Sequence, residues 1–254
     1  MCLVLLALDT HPEYSLIVAA NRDEFYDRPT ARAAFWDDAP WVLAGRDLRA
    51  GGSWLGIDRR GRLAAVTNYR QGRREPEAPH SRGHLVSDYL TRRIDGRDHV
   101  ARVERDAELY NGFNLIAGDV GQLLYFSNRE GRTLALERGV YGLSNHLLDS
   151  PWPKVTWGKS GLTALLAGGG ELVSALFALL SDRRQAGDDL LPRTGVGPEW
   201  ERLLSSAFIA SKGYGTRSST VILVGRDRGV VFVERGFGPD GAPEEEVRHE
   251  LIIE

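Results

Sequence analysis

The chain has 254 residues, 42% of them hydrophobic and 26% charged, with a formal net charge of -3 and a single cysteine. This is enough for one core over residues 1–254, and it lacks the dominant basic balance of a nucleic-acid binder. Its apolar runs are strand-sized, which excludes a membrane-spanning helix, and one cysteine makes no internal disulfide, so a reducing compartment, the cytosol by default, is expected.

Near-continuous apolar residues at 3–8 and 16–20 predict two strands covered on both faces and joined by a short loop. The opening run has no basic flank, so no targeting signal is expected. Pairing Leu8 with Ser15 sets Cys2 opposite Asn21, and residues 21–24 then leave the sheet beside Cys2. A second hairpin is expected from residues 53–58 and 62–68 around Arg59-Arg60-Gly61, bringing Asn68 near Gly52. Residues 71–80 are polar and proline-containing and read as a surface loop, with a mobile lid as the alternative.

Helical spacing follows at Leu85, Tyr89, Leu90 and Ile94. A hairpin is expected at 113–118 and 122–127, helices at 155–166 and 172–180, and a last hairpin at 220–224 and 230–234. Gly168-Gly169-Gly170 separates two helices and lacks the pattern that cradles phosphate. Strand pairs with helices in separate blocks give an α+β class. Two stacked antiparallel sheets flanked by helices, or one sheet with helices on each face, both satisfy the pattern.

Methionine before a small residue is ordinarily removed, which leaves Cys2 with a free α-amine able to serve as base for its own thiol. Asn21 lies beside Cys2 by the hairpin count. Arg22, Arg70 and Arg217 fall at predicted strand ends, where guanidinium groups suit a carboxylate, a haem propionate or a phosphate. Asp23 is placed to orient the Cys2 amine or Arg22. The six histidines show no metal spacing, so no intrinsic metal is expected; His146 and His84 are candidate haem ligands.

Met1-Cys2-Leu3 followed by Ala20-Asn21-Arg22-Asp23-Glu24-Phe25 resembles the NRDE family, whose eukaryotic members include the transport and Golgi organisation protein 2. Matching segments continue in order at Gly51-Gly52-Ser53-Trp54-Leu55-Gly56, Thr67-Asn68-Tyr69-Arg70, Ser81-Arg82-Gly83, Tyr110-Asn111-Gly112-Phe113-Asn114, Gly142-Leu143-Ser144-Asn145 and Gly215-Thr216-Arg217-Ser218-Ser219-Thr220. The resemblance implies an N-terminal-nucleophile (Ntn)-hydrolase-like αββα sandwich and a link to haem trafficking or acyl-CoA metabolism. A more distant likeness to bile-salt and penicillin-acylase-type cysteine amidases implies Cys2 as nucleophile, Arg22 as the group steadying its thiolate, and Asn68 and Asn145 as oxyanion donors. Phe25 stands where those amidases carry an aspartate; the acids here are Asp23 and Glu24.

Two functions are therefore expected. The first is a cysteine Ntn hydrolase, an amidohydrolase or thioesterase acting on a small acyl compound, that requires no cofactor. The second is a non-catalytic pocket that carries an anionic or acyl ligand such as haem or an acyl-CoA. An interaction module for membrane traffic ranks last, since the chain has no heptads and no lipidation signal.

Overall fold

A computed structural model describes residues 2–72 and 78–254. Residues 73–77, within the predicted surface loop or lid, lie outside the described residues. The opening hairpin is β1 (Cys2–Leu8) and β2 (Tyr14–Phe25), followed by β3 (Thr30–Trp36), β4 (Ala39–Asp47), β5 (Leu55–Asp58) and β6 (Arg62–Asn68). Helices α1 (Gly83–Arg92) and α2 (Gly96–Arg105) precede β7 (Phe113–Asp119), β8 (Gln122–Ser127), β9 (Arg132–Ala135) and β10 (Gly139–Leu143). After α3 (Pro153–Ala167), the triple glycine, α4 (Leu172–Leu180) and α5 (Pro198–Leu203), the chain closes with β11 (Tyr214–Gly225), β12 (Gly229–Phe237) and β13 (Pro243–Ile252).

The strands form two antiparallel sheets, ordered β10-β1-β2-β11-β12-β13 and β3-β4-β5-β6-β7-β8-β9. Period-2 alternation splits each sheet between two cores. Val4, Leu6, Val18 and Ile222 of the first sheet meet Leu55, Ile57, Leu63 and Ile116 of the second. The opposite face of the first sheet, with Leu3, Leu5, Ile17 and Val221, is covered by α3 and α4. That of the second, with Ala64, Leu115 and Phe126, is covered by α1 and α2. The layers are therefore helices, sheet, sheet, helices, which selects stacked sheets over the single-sheet alternative.

The opening hairpin differs from the expected register by one residue. Leu8 pairs with Leu16 and Cys2 with Arg22. Asp9, in the left-handed region at φ 52°, donates its N–H to the Ser15 carbonyl at 2.8 Å, so Ser15 is taken by Asp9 rather than Leu8. A one-residue slip exchanges the two faces of a strand. Cys2 and Arg22 thus share the inter-sheet side of Val4 and Ala20, while Asn21 joins Leu3 and Ile17 on the helix side.

Residues 21–24 do not leave the sheet, because β11 pairs with β2 as far as Phe25. Arg22 is consequently interior to its strand, and Arg217 is interior to β11 at a bulge between Thr216 and Ser218; only Arg70 lies beyond a strand end. The second hairpin keeps its expected register, with Ile57 opposite Leu63, although β5 begins at Leu55 and the extension to Gly52 is loop. Gly52 is needed there: a Cβ on it would come within 2.4 Å of the Gly83 carbonyl carbon, at the start of α1.

His99 of α2 is 3% exposed, bonds the Leu85 carbonyl through Nε2 at 2.9 Å and stacks on Tyr89. Burial lowers its pKa from 6.5 to about 4. The unfolded chain therefore binds the extra proton between those values, and folding stability falls as the pH drops from 6.5 to 4. Urea unfolding should show a loss of up to roughly 3 kcal/mol over that range, with His99→Gln flattening the slope.

Candidate active site around Cys2

Cys2 is half-buried and lines a cavity of about 530 Å³ together with Arg22, Asp23, Trp54, Asn68 and Arg82. The cavity opens where the C-terminal end of β2 and the end of β6 approach the loop before α1. Its wall is mainly polar and charged, which suits a ligand with an anionic or hydrogen-bonding head. Among the described residues no group of three or more His, Cys, Asp or Glu could hold a metal ion, and no helix is long and apolar enough to cross a membrane.

Arg22 faces Cys2 directly across the β1–β2 ladder. Its guanidinium stacks 4.3 Å from the centre of the Trp54 ring and donates to Thr30 Oγ1 at 3.3 Å. Behind it a second cavity of about 120 Å³ is lined by Thr30, Ser218 and Glu234. Burial pushes the Cys2 thiol up, and the Asp23 carboxylate adds to this. The charge of the N-terminal amine, then that of Arg22, acts in the opposite direction.

Asp23 lies on the helix side of β2 and is buried. Oδ1 accepts from Thr216 Oγ1 at 2.8 Å, and Oδ2 lies 3.8 Å from Lys154 Nζ on α3. Burial pushes this carboxyl up, and the Lys154 ammonium is the largest influence in the other direction. Sequence reasoning missed Lys154. Its only signal was a lone lysine at the start of a predicted helix, and nothing in its spacing linked it to Cys2.

Asn68 and Asn145 come together through the backbone that clasps the two sheets. Asn145 Nδ2 donates to the Asn68 carbonyl at 3.0 Å, and the Asn145 carbonyl accepts from the Arg70 N–H at 2.7 Å. Ser144 Oγ donates to the Cys2 carbonyl at 2.9 Å. Asn145 is fully buried and has one amide N–H occupied by this clasp, whereas Asn68 is half-buried and lines the cavity.

The expected ligand-binding residues are dispersed. Asn21 donates to the Leu180 and Ala207 carbonyls at 2.9 and 2.7 Å and accepts from Ser219 Oγ at 2.6 Å, which ties β2 to the segments around α4 and away from the Cys2 cavity. Arg70 is paired with Glu201 of α5 at 2.5 Å and stacks 4.5 Å from the Trp152 ring. Arg217 donates to the carbonyls of Phe25, Tyr26 and Arg28, clamping the turn after β2 and reaching only the smaller cavity. His146 bonds Ser150 Oγ at 2.7 Å and packs between Tyr69 and Trp152, outside the residues lining the Cys2 cavity. Burial and then Arg70 push its pKa down.

The transport and Golgi organisation 2 family matches residues 1–239. The chain belongs to this family. It is 41% identical over 278 residues to the transport and Golgi organization protein 2 homolog of Bos taurus, with all of both chains covered. The Homo sapiens homolog is 40% identical with 93% of each covered, and the Drosophila melanogaster protein is 32% identical with 95% of each covered.

Among solved structures, the mutant C2A of conjugated bile acid hydrolase from Clostridium perfringens superposes with a TM-score of 0.56 at 9% identity, over 100% of this chain and 92% of that one. Penicillin V acylase from Agrobacterium tumefaciens gives 0.50 at 12% identity, over 91% and 82%. The family member thus has an Ntn-hydrolase-like fold, as the resemblance implied.

Replacing Asn21 by alanine strands two carbonyls and a hydroxyl in the core. At about 1–3 kcal/mol for each unsatisfied buried group, chemical unfolding should register a loss of roughly 3 kcal/mol or more. The rate of Cys2 alkylation at neutral pH should stay unchanged, because the side chain faces away from the thiol.

Proposed function

We propose that the protein is a cysteine Ntn hydrolase that cleaves a small acyl amide or thioester. The observation that carries this reading is the alignment of Cys2 with Arg22 on one sheet face, at the wall of a cavity that also exposes Asn68. The likeness in fold to a bile acid hydrolase and a penicillin acylase supports it.

In this mechanism removal of Met1 exposes the α-amine of Cys2, which takes the thiol proton. The thiolate attacks the acyl carbonyl carbon. Asn68, held by Asn145 through its main-chain carbonyl, donates to the resulting oxyanion, and Arg22 stabilises negative charge on sulfur. Collapse breaks the bond to the amine or thiol leaving group, which departs with the proton. Water then attacks the Cys2 thioester, releasing the carboxylic acid and restoring the thiol.

Mature protein incubated with panels of acyl amides and acyl thioesters should release acid and show an acyl adduct on Cys2 by intact mass. Cys2→Ala should lower turnover by at least ~10³-fold, the scale seen when a catalytic nucleophile is removed. Absence of any Cys2-dependent turnover or adduct rules the hydrolase out.

A second reading is favoured by one feature: burial holds the thiol up, away from the reactive thiolate. Here the same cavity binds and hands over an acyl-CoA or haem. For haem the ligand is Cys2, because His84 Nε2 is engaged by the Ala50 carbonyl at 2.8 Å and His146 lies away from the cavity. Haem titration should then give an absorbance spectrum distinct from free haem that is lost in Cys2→Ala, while acyl-CoA binding by calorimetry should weaken in Arg22→Met. Spectra of free haem together with no calorimetric signal would eliminate carriage.

A further inference from the structure

On the helix side of the first sheet α4 packs against β2 and β11, and beyond it β12 and β13 form the far wall of a cleft. The cavity there measures about 500 Å³ and shares no lining residue with the cavity at Cys2. Its wall is mainly apolar and includes Phe177 of α4, Phe208, and Phe237 of β12. Protein interiors leave few voids, and a concave apolar space of this size with a few polar groups is the usual form of a small-molecule site.

Contacts within the protein already hold these walls in place. Asn21 donates to the carbonyls of Leu180, at the end of α4, and Ala207, and it accepts from Ser219 Oγ on the floor of the cleft. The Phe208 N–H donates to the Asp182 carbonyl at 2.8 Å, and the Phe208 and Phe237 rings meet edge to face at 4.8 Å. Gly241, at φ 74°, lets the turn after β12 pack against Phe208: a Cβ on it would come within 2.8 Å of that ring and 2.7 Å of the Arg183 guanidinium. A wall formed in advance spares a ligand part of the ordering cost of binding.

Four charged side chains line the cleft, Arg183, Arg235, Glu244 and Glu246. Glu246 is paired with Arg235 at 2.6 Å, and the Arg235 guanidinium stacks 4.0 Å from the centre of the Phe177 ring. Glu244 is paired with Arg32 at 3.1 Å. Arg183 differs from the other three. Its guanidinium stacks 5.0 Å from the centre of the Phe208 ring, and among the described residues that guanidinium has no ion pair or hydrogen bond. The neighbouring Asp182 is taken by Arg184 at 3.0 Å. The cleft therefore carries one uncompensated positive charge, on a planar group whose N–H donors match a carboxylate.

We propose that this cleft is a second ligand site, for a small apolar carboxylate: its hydrocarbon part packs among Phe177, Phe208 and Phe237, and its acid group takes the Arg183 guanidinium. The single uncompensated charge calls for a monoanion. The site stands apart from Cys2 and does not depend on what Cys2 does.

Octanoate, with octan-1-ol as its neutral counterpart, is the probe, and the full chain is first capped on Cys2 with iodoacetamide so that the Cys2 cavity is obstructed. Ring-13C labelling gives NMR signals for the eight phenylalanines, with those of the cleft assigned by their loss in Phe177→Leu, Phe208→Leu and Phe237→Leu. Octanoate should move these three along one saturating curve and leave Phe25, next to Glu24 of the Cys2 cavity, in place. By calorimetry octanoate should bind about fivefold more tightly than octan-1-ol, the scale of a partly exposed ion pair. Arg183→Gln should erase that preference, and Ala178→Trp, which fills the cleft from α4, should remove binding of both. Both replaced side chains are exposed, so neither change opens the core.

No binding of octanoate, equal affinity for acid and alcohol, a preference that survives Arg183→Gln, or shifts confined to phenylalanines outside the cleft would each overturn the proposal. So would movement of the three signals with protein concentration alone, accompanied by a dimer in sedimentation, which would assign the cleft to a second copy of the chain.

Discussion

The register of β1 against β2 is the constraint on which the site depends. Because side chains alternate between faces, pairing Cys2 with Arg22 rather than Asn21 puts thiol and guanidinium together on the inter-sheet side. The same choice sends Asn21 and Asp23 to the helix side, where one ties β2 to the segments around α4 and the other meets Lys154. The four consecutive residues 21–24 thus do different work by alternation alone. The turn enforces it: the Asp9 N–H bonded to the Ser15 carbonyl closes the hairpin one residue tighter than the apolar pattern suggests.

A second layer of organisation is electrostatic. Two cations and two carboxylates are buried in the pairs Arg70–Glu201 and Lys154–Asp23. The first has good geometry, reinforced by Thr194 donating to Glu201 through both its N–H and hydroxyl and by Trp152 over the guanidinium. It acts as a staple between α5 and the strand that carries Asn68. The second has poor geometry, at 3.8 Å, and its Asp23 shares the lining of the Cys2 cavity. Buried ion pairs add little net stability against an apolar alternative, so of the two it is the well-formed Arg70–Glu201 pair whose geometry fits a structural staple.

Much of the fold was legible in the sequence because short-range patterns encode it. The hairpins at 53–68, 113–127 and 220–234 and the helices on Leu85, Val155 and Leu172 carry runs of apolar residues bounded by turn signals, and all are present. Elements that escaped notice include some with few apolar residues. Helix α2 is predominantly polar and has only Val100 and Val103 as buried aliphatic contacts, although its Asp95 cap is readable in retrospect. Strand β13 is largely exposed and carries four glutamate or arginine residues between Glu244 and Arg248, as befits a sheet edge.

By itself the sequence determined the family and the α+β class and singled out Cys2 and Arg22 as candidates, because ordered motifs and apolar alternation survive without knowledge of the chain's path. Only the tertiary structure decided which residues share a space. It removed Asn21 from the site through a one-residue register, enclosed Arg70 with a glutamate 131 positions away, and occupied one amide N–H of Asn145 in the clasp between sheets. It also brought Lys154 from a distant helix to Asp23. Contacts of that separation depend on how sheets stack and where a helix lands, and no local spacing records them.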